Sequence, residues 1–168
     1  MKETEPHPSM RGYFAYEVHK HMKNDSRIWV VTGDLGYGMW DQVKRDYPGR
    51  FLNVGAAEQA LLGVGVGLAL EGRIPILYSI TPFLLYRPFE TISLYLQGEG
   101  IPVKLAASGR DRDYHDDGPS HWAEEDGRIM EYIFGDIVSR WPLQKEEIPS
   151  IVDDMINTPK PYYISLKR

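Results

Sequence analysis

Glu58 stands alone among small and apolar residues. It sits in Asn53-Val54-Gly55-Ala56-Ala57-Glu58-Gln59, and the run from Ala60 to Leu70 carries no other acid before Glu71. A carboxylate held against apolar packing is costly to ionise. Such a group can donate to a ring nitrogen or share its proton, which a solvated acid does poorly. The bland alternative is a first-turn acid that complements the helix dipole, worth about a few tenths of a kcal/mol.

A second concentration of chemistry lies between Ser108 and Trp122. This stretch holds Arg110, Asp111, Arg112, Asp113, His115, Asp116, Asp117 and His121. Compact domains seldom carry so long a polar loop without a use for it. His115, Asp116 and Asp117 are the residues that a divalent metal would take. Adjacent aspartates do not easily face one ion together, so no metal site is expected in this chain. Phe83, Tyr86 and Phe89 recur every third position and form one aromatic stripe. Such a stripe either packs in the core or offers a stacking surface to a flat heterocycle. Arg87 reads as a surface charge rather than a phosphate contact. Gly33-Asp34-Leu35-Gly36-Tyr37-Gly38 is neither a P-loop nor a dinucleotide fingerprint, because the required residues and spacing are missing.

These groups need a scaffold. Ser9 caps a helix from Met10 to about Asn24, with Tyr13, Phe14, Tyr16, Val18 and Met22 on its apolar face. His19 and His21 lie two apart, point to different faces and read as solvated. Arg27 to Thr32 is an apolar strand buried on both faces. Its carboxyl end opens into the glycine-rich loop, where open α/β sheets place ligands. A short helix, Trp40 to Tyr47, stops at Pro48-Gly49. Phe51 to Val54 is a strand, followed by the buried Glu58 helix, which stops at Gly72. Gly63, Gly65 and Gly67 in that helix suggest close approach of another helix or a ligand. Ile74 to Ser79 is the next strand. A helix follows from Thr81-Pro82 and breaks at Gln97 to Gly100. Further strands are expected at Ile101 to Ala106, Ile133 to Val138 and Tyr162 to Leu166. Helices are expected at Glu124 to Tyr132 and Lys145 to Asn157. The regular alternation predicts a three-layer α/β/α fold around a mostly parallel sheet of about six strands. Residues 1–9 read as a loose tail and 10–168 as a single domain.

The 168 residues are 42% hydrophobic and 26% charged, with a net charge of −5. That is a globular composition and a poor one for nucleic acid or anionic membranes. There is no cysteine, hence no disulfide, thiolate metal site or cysteine nucleophile. No apolar run reaches membrane-spanning length, and the first residues lack a signal-peptide core. A cytoplasmic location is the expectation.

Two motifs carry a family resemblance. Asn-Val-Gly-Ala-Ala-Glu-Gln before a Gly/Ala-rich helix resembles the pyrimidine-binding domain of transketolase-type thiamine diphosphate enzymes. Asp117-Gly118-Pro119-Ser120-His121 resembles the Asp-Gly-Pro-Thr-His of transketolases. The likeness runs from about Arg27 to Lys167. It implies that Glu58 hydrogen-bonds N1′ of the cofactor's aminopyrimidine and that Asp34 helps to fix the cofactor. It implies that Phe83, Tyr86 and Phe89 pack on the pyrimidine ring, although Pro82 interrupts the usual Thr-Phe. Asp117 and His121 would contact the sugar, with His121 counted among the catalytic residues, and Arg128 would stand near the arginine that follows the motif.

The departures are informative. The diphosphate-and-magnesium motif, Gly-Asp-Gly with a downstream Asn, is absent. Ser108 stands near the place of a family histidine, and the family's C-terminal domain is not found. The resemblance therefore implies a split transketolase that moves a two-carbon ketol unit between sugars. A partner chain would bind magnesium and diphosphate, in an assembly expected to be α2β2. Alternatives on the same frame are a deoxyxylulose-phosphate synthase-like or 2-oxo acid dehydrogenase-like subunit, or a catalytically silent one. The Asp-Gly-Pro-Ser-His loop favours sugar chemistry.

Overall fold

The computed structural model describes residues 6–168. Ser9 accepts a hydrogen bond from the Gly12 N–H and caps α1, Met10–Asn24, as its residue type dictates. Phe14, Val18 and Met22, four residues apart, are buried along one face of α1. The first five positions of the expected tail lie outside the described residues. Residues 6–9 do not stream away: the His7 carbonyl lies 2.4 Å from where a side chain on Gly12 would begin.

Six parallel strands form one sheet in the order β2-β1-β3-β4-β6-β5. They are β1 Ile28–Thr32, β2 Phe51–Asn53, β3 Ile74–Ile80, β4 Lys104–Ser108, β5 Val138–Arg140 and β6 Tyr162–Leu166. β4 and β6 are buried at every position, which is why β6 reads as a continuous apolar run. Between the strands lie α2 Asp41–Asp46, α3 Glu58–Leu70, α4 Thr81–Tyr86, α5 Phe89–Thr91, α6 Asp126–Tyr132 and α7 Ile148–Asn157. A π-helical turn, Ile92–Gly98, continues α5. One core joins α1, α2 and α7 to the sheet through Phe14, Val43 and Val152. A second core joins α3, α4 and α6 to the other face through Leu62, Leu84 and Met130. The fold is the expected three-layer α/β/α sandwich.

The strand order reverses at β1. The chain leaves β1 through α2 on one face and leaves β3 through α4 on the other. The crevice between the carboxyl ends of β1 and β3 is thus a topological switch point, where parallel α/β sheets bind ligands.

Several expectations shift. β4 begins at Lys104 rather than Ile101, because Pro102 cannot donate to a ladder. β5 begins at Val138 rather than Ile133. Ile133 and Phe134 N–H groups still bond Ile129 O, so that stretch closes the end of α6. Of the three glycines in α3, only Gly65 is pressed. A side chain there would begin 2.7 Å from a Leu77 methyl, whereas Gly63 and Gly67 meet nothing within 4 Å. Helix α3 is therefore buried on one face only. His19 is not solvated; its ring Nε2 pairs with Asp46 at 2.9 Å.

Candidate functional site

Gly55, at φ +75°, turns the chain from β2 toward α3. Glu58 then becomes the first residue of α3 and points into the β1/β3 crevice, only 2% exposed. Its Oε1 accepts a hydrogen bond from the Ser79 hydroxyl of β3 at 3.1 Å. Its Oε2 accepts one from the Arg87 guanidinium at 2.6 Å. Gly33, directly after β1, floors the crevice. A side chain there would begin 3.4 Å from Glu58 Oε1 and 3.5 Å from Ser79 Oγ. The carboxylate is thus buried, oriented by a neutral donor and matched by one cation.

Phe83 and Arg87, one turn apart on the chain that begins with α4, form the wall beside Glu58. The Arg87 guanidinium lies 3.8 Å from the Phe83 ring centre. On its other contact, Phe83 meets the His121 ring edge-on at 4.8 Å. His121 reaches this point because the 109–122 loop folds back on itself. Asp111 and Ala123 form an antiparallel bridge, and Asp113 accepts from the N–H groups of Arg110 and Arg168.

Beyond His121 the rim is cationic. Arg11 donates to the Tyr114 hydroxyl at 3.0 Å, and that hydroxyl lies 2.9 Å from Ser108 Oγ. The Arg168 guanidinium sits over the Tyr114 ring at 5.1 Å. Burial holds the Tyr78 phenol beneath them above its ordinary range.

A chain of contacts links Glu58 through Arg87 to Phe83 and on to His121. The other sequence-predicted residues lie farther out. Asp34, in a left-handed conformation at φ 60°, is exposed and accepts from Asn53 Nδ2 and the Tyr37 hydroxyl, each at 2.9 Å. Those bonds, Asn53 first, hold its carboxyl below the usual range. It adjoins Gly33 but is turned toward Asn53. Asp117 is exposed in a 3-10 turn of the long loop. Tyr86 is 44% exposed, and burial with the charges of Asp126 and Glu125 raises its phenol. Phe89 packs against Phe134 in the second core at 5.0 Å, so the stripe divides between site and core. Arg128 pairs with Glu125 at 3.2 Å and lines a groove of about 710 Å³ with Arg110 and Trp141. Among the described residues no group of three or more His, Cys, Asp or Glu could hold a metal ion.

Three residues of this region escaped the sequence reading. Arg87 read as a surface charge, yet it is the ion-pair partner of Glu58. Its offset of four from Phe83 on a helix was the available signal. Ser79 looked like any strand residue. Arg11 gave no local sign, since its partner Tyr114 is 103 positions away.

Residues 7–168 match the family described as "Transketolase, pyrimidine binding domain". The chain belongs to this family. It is 31% identical over 152 residues to the 6-deoxy-6-sulfo-D-fructose transketolase subunit SqwH of Clostridium sp. (strain MSTE9), covering 89% of this chain and 46% of that protein. It is 33% identical over 122 residues to an apulose-4-phosphate transketolase subunit of Actinobacillus succinogenes, covering 73% and 39%. Among solved structures, a split gene transketolase in an inactive beta4 tetramer superimposes with a TM-score of 0.83 at 27% identity, over 95% of this chain and 51% of that one. The aligned regions span less than half the length of the two curated relatives. Membership in this family implies thiamine diphosphate as the cofactor. No helix among the described residues is long and apolar enough to cross a membrane.

Proposed function

We propose that this chain supplies the pyrimidine-binding half of a thiamine diphosphate-dependent transketolase, which transfers a two-carbon ketol unit between sugars. The observation that carries the reading is the buried Glu58 carboxylate at the β1/β3 switch point, linked through Arg87 to the Phe83 ring. The donor set fits the aminopyrimidine. A planar, nitrogen-bearing group, the Arg87 guanidinium, already stacks on Phe83 and bonds Glu58. A flat ring whose N1′ shares a proton with the Glu58 carboxyl can satisfy the same two contacts. Thiamine diphosphate, when bound, supplies the electron sink for cleaving a carbon–carbon bond next to a carbonyl.

The residues of this chain have distinct parts in that reading. Glu58 holds a proton at ring N1′, and Ser79 keeps the carboxylate aimed. Phe83 stacks on the ring, with Tyr86 and Phe89 supporting the helix that carries it. Asp34 steadies the cofactor from the rim. Asp117 and His121 bind donor or acceptor hydroxyls, and Arg128 lies at the outer end of the substrate path. Diphosphate and magnesium are held by a partner chain, a reading supported by the relatives named as transketolase subunits and by the split gene transketolase. An α2β2 assembly in the cytoplasm completes the proposal.

The test is Glu58→Gln assayed with the partner chain and ketose donors. The substitution keeps the shape and removes the proton-holding group. Turnover falls at least about 100-fold while the fold survives. Wild-type turnover in that variant overturns the assignment.

A further inference from the structure

Arg87 makes two contacts that the cofactor's pyrimidine ring would need for itself. Its guanidinium lies over the face of Phe83 at 3.8 Å and donates to Glu58 Oε2 at 2.6 Å. One face of a phenyl ring admits one stacked plane. His121 meets Phe83 at an interplanar angle of 66°, so it is not a second stacking layer. The remaining oxygen of Glu58 already receives the Ser79 hydroxyl.

We infer that Arg87 is a competitor built into the site: its guanidinium occupies the ring's place and must leave Phe83 and Glu58 before a pyrimidine can enter. This rests on the reading of Glu58 and Phe83 as the pyrimidine contacts. The two partners differ in freedom. The Glu58 side chain is 1% exposed and the Arg87 side chain 46%. The arginine can swing into water at little desolvation cost, whereas the glutamate cannot follow it. A buried carboxylate that loses its cation is strongly disfavoured. The exchange is therefore one donor for another. Guanidinium leaves as the ring arrives together with one proton from solvent, shared between ring N1′ and the Glu58 carboxyl, and the site admits planar, protonatable heterocycles over other ligands.

The size of the effect follows from occupancy. Apparent affinity falls by the fraction of molecules in which the place is open. If Arg87 fills the place in about 90–99% of molecules, removing it tightens binding roughly 10- to 100-fold.

The experiment uses the full chain and 4-amino-5-hydroxymethyl-2-methylpyrimidine, which carries the ring without the diphosphate. Dissociation constants are measured by ligand-observed NMR for the wild type, Arg87→Ala, Arg87→Met, Glu58→Gln and the double variant Arg87→Ala/Glu58→Gln. Thermal melts check that each variant is folded. The expected result is at least about tenfold tighter binding in both Arg87 variants, with the gain abolished when Glu58→Gln is added. Equal or weaker binding in both Arg87 variants, while Glu58→Gln also loses the ring, refutes the competition and spares the role of Glu58. Binding to Glu58→Gln as tight as to the wild type refutes the role of Glu58 and the competition with it. No detectable binding to any of these proteins counts against both.

Discussion

The Ser79 hydroxyl donates to Glu58 Oε1 across 3.1 Å, joining the end of β3 to the start of α3. This bond lies inside the molecule: Ser79 is fully buried and Glu58 nearly so. Ser79→Ala leaves a buried carboxylate oxygen without its donor. We expect a loss of about 1–3 kcal/mol in urea denaturation. A variant as stable as the wild type would mean that solvent reaches Oε1 and replaces the bond.

The glycines of α3 divide into two kinds. Gly63 and Gly67 have open space where a side chain would begin. Alanine at either position should stabilise the isolated chain by about 0.5–1 kcal/mol through helix propensity. Gly65→Ala drives a methyl into Leu77 and should destabilise by about 1–3 kcal/mol. Thermal melts of the three variants, measured side by side, check both signs. Destabilisation by Gly63→Ala or Gly67→Ala would show that this face is not open in solution.

Lys104 begins β4 at the pole opposite Glu58 and is 2% exposed. Its ammonium donates to the carbonyls of Thr158 and Lys160, each at 2.6 Å. Burial, against a smaller contribution from Asp154, lowers its pKa to about 8. Below pH 8 both folded and unfolded chains carry the charge, and the fold bears the full burial cost. Between pH 8 and the unfolded value near 10.5, the unfolded chain holds a proton that the folded chain has lost. Stability therefore rises across that window, by about 1–3 kcal/mol. Tyr78, Tyr162 and Tyr163 have raised values and act oppositely. Above about pH 10 the unfolded chain has lost protons that they keep, and stability falls again. Denaturation midpoints between pH 7 and 11 should show this hump, and Lys104→Met should abolish its rising limb.

Asp126 anchors α6 to the sheet. Its Oδ2 accepts from the Tyr163 hydroxyl at 2.8 Å and from Trp141 Nε1 at 3.1 Å. Burial, followed by the charge of Asp126, holds the Tyr163 phenol well above its ordinary range. Tyr163→Phe should cost about 1–3 kcal/mol in urea denaturation, because the acceptor stays buried without that donor. An unchanged midpoint would show that the Trp141 bond alone suffices.

Local chemistry decided what could be read from the sequence. The Ser9 cap and the apolar run Tyr162 to Leu166 define α1 and β6 by themselves. β4 was harder, since Lys104 and Ser108 are buried strand residues of polar type, whose partners are remote carbonyls and hydroxyls. β5 is a short edge strand, and its neighbour Ile137 is apolar because it packs in the core rather than because it pairs. At the site, a lone acid beside a glycine turn is a local pattern and was legible. The Arg87 pairing was not, because it joins residues 29 apart and depends on how α3 and α4 meet over the sheet. Arg110 shows the same limit. It lies in a polar loop yet is buried, donating to the carbonyls of Pro142 and Ser165.

The loop that carries His121 is tethered at its base, by the Asp111–Ala123 bridge and by the bonds that Asp113 accepts. Between those moorings, residues 115–120 bury no hydrophobic side chain. On the proposed reading, in which Asp117 meets the substrate, mutational drift there would change which molecules are admitted while the β-sheet beneath it registers almost nothing. A library randomised over that span should yield folded proteins at a high rate, so new specificities could be sought without first reinforcing the scaffold.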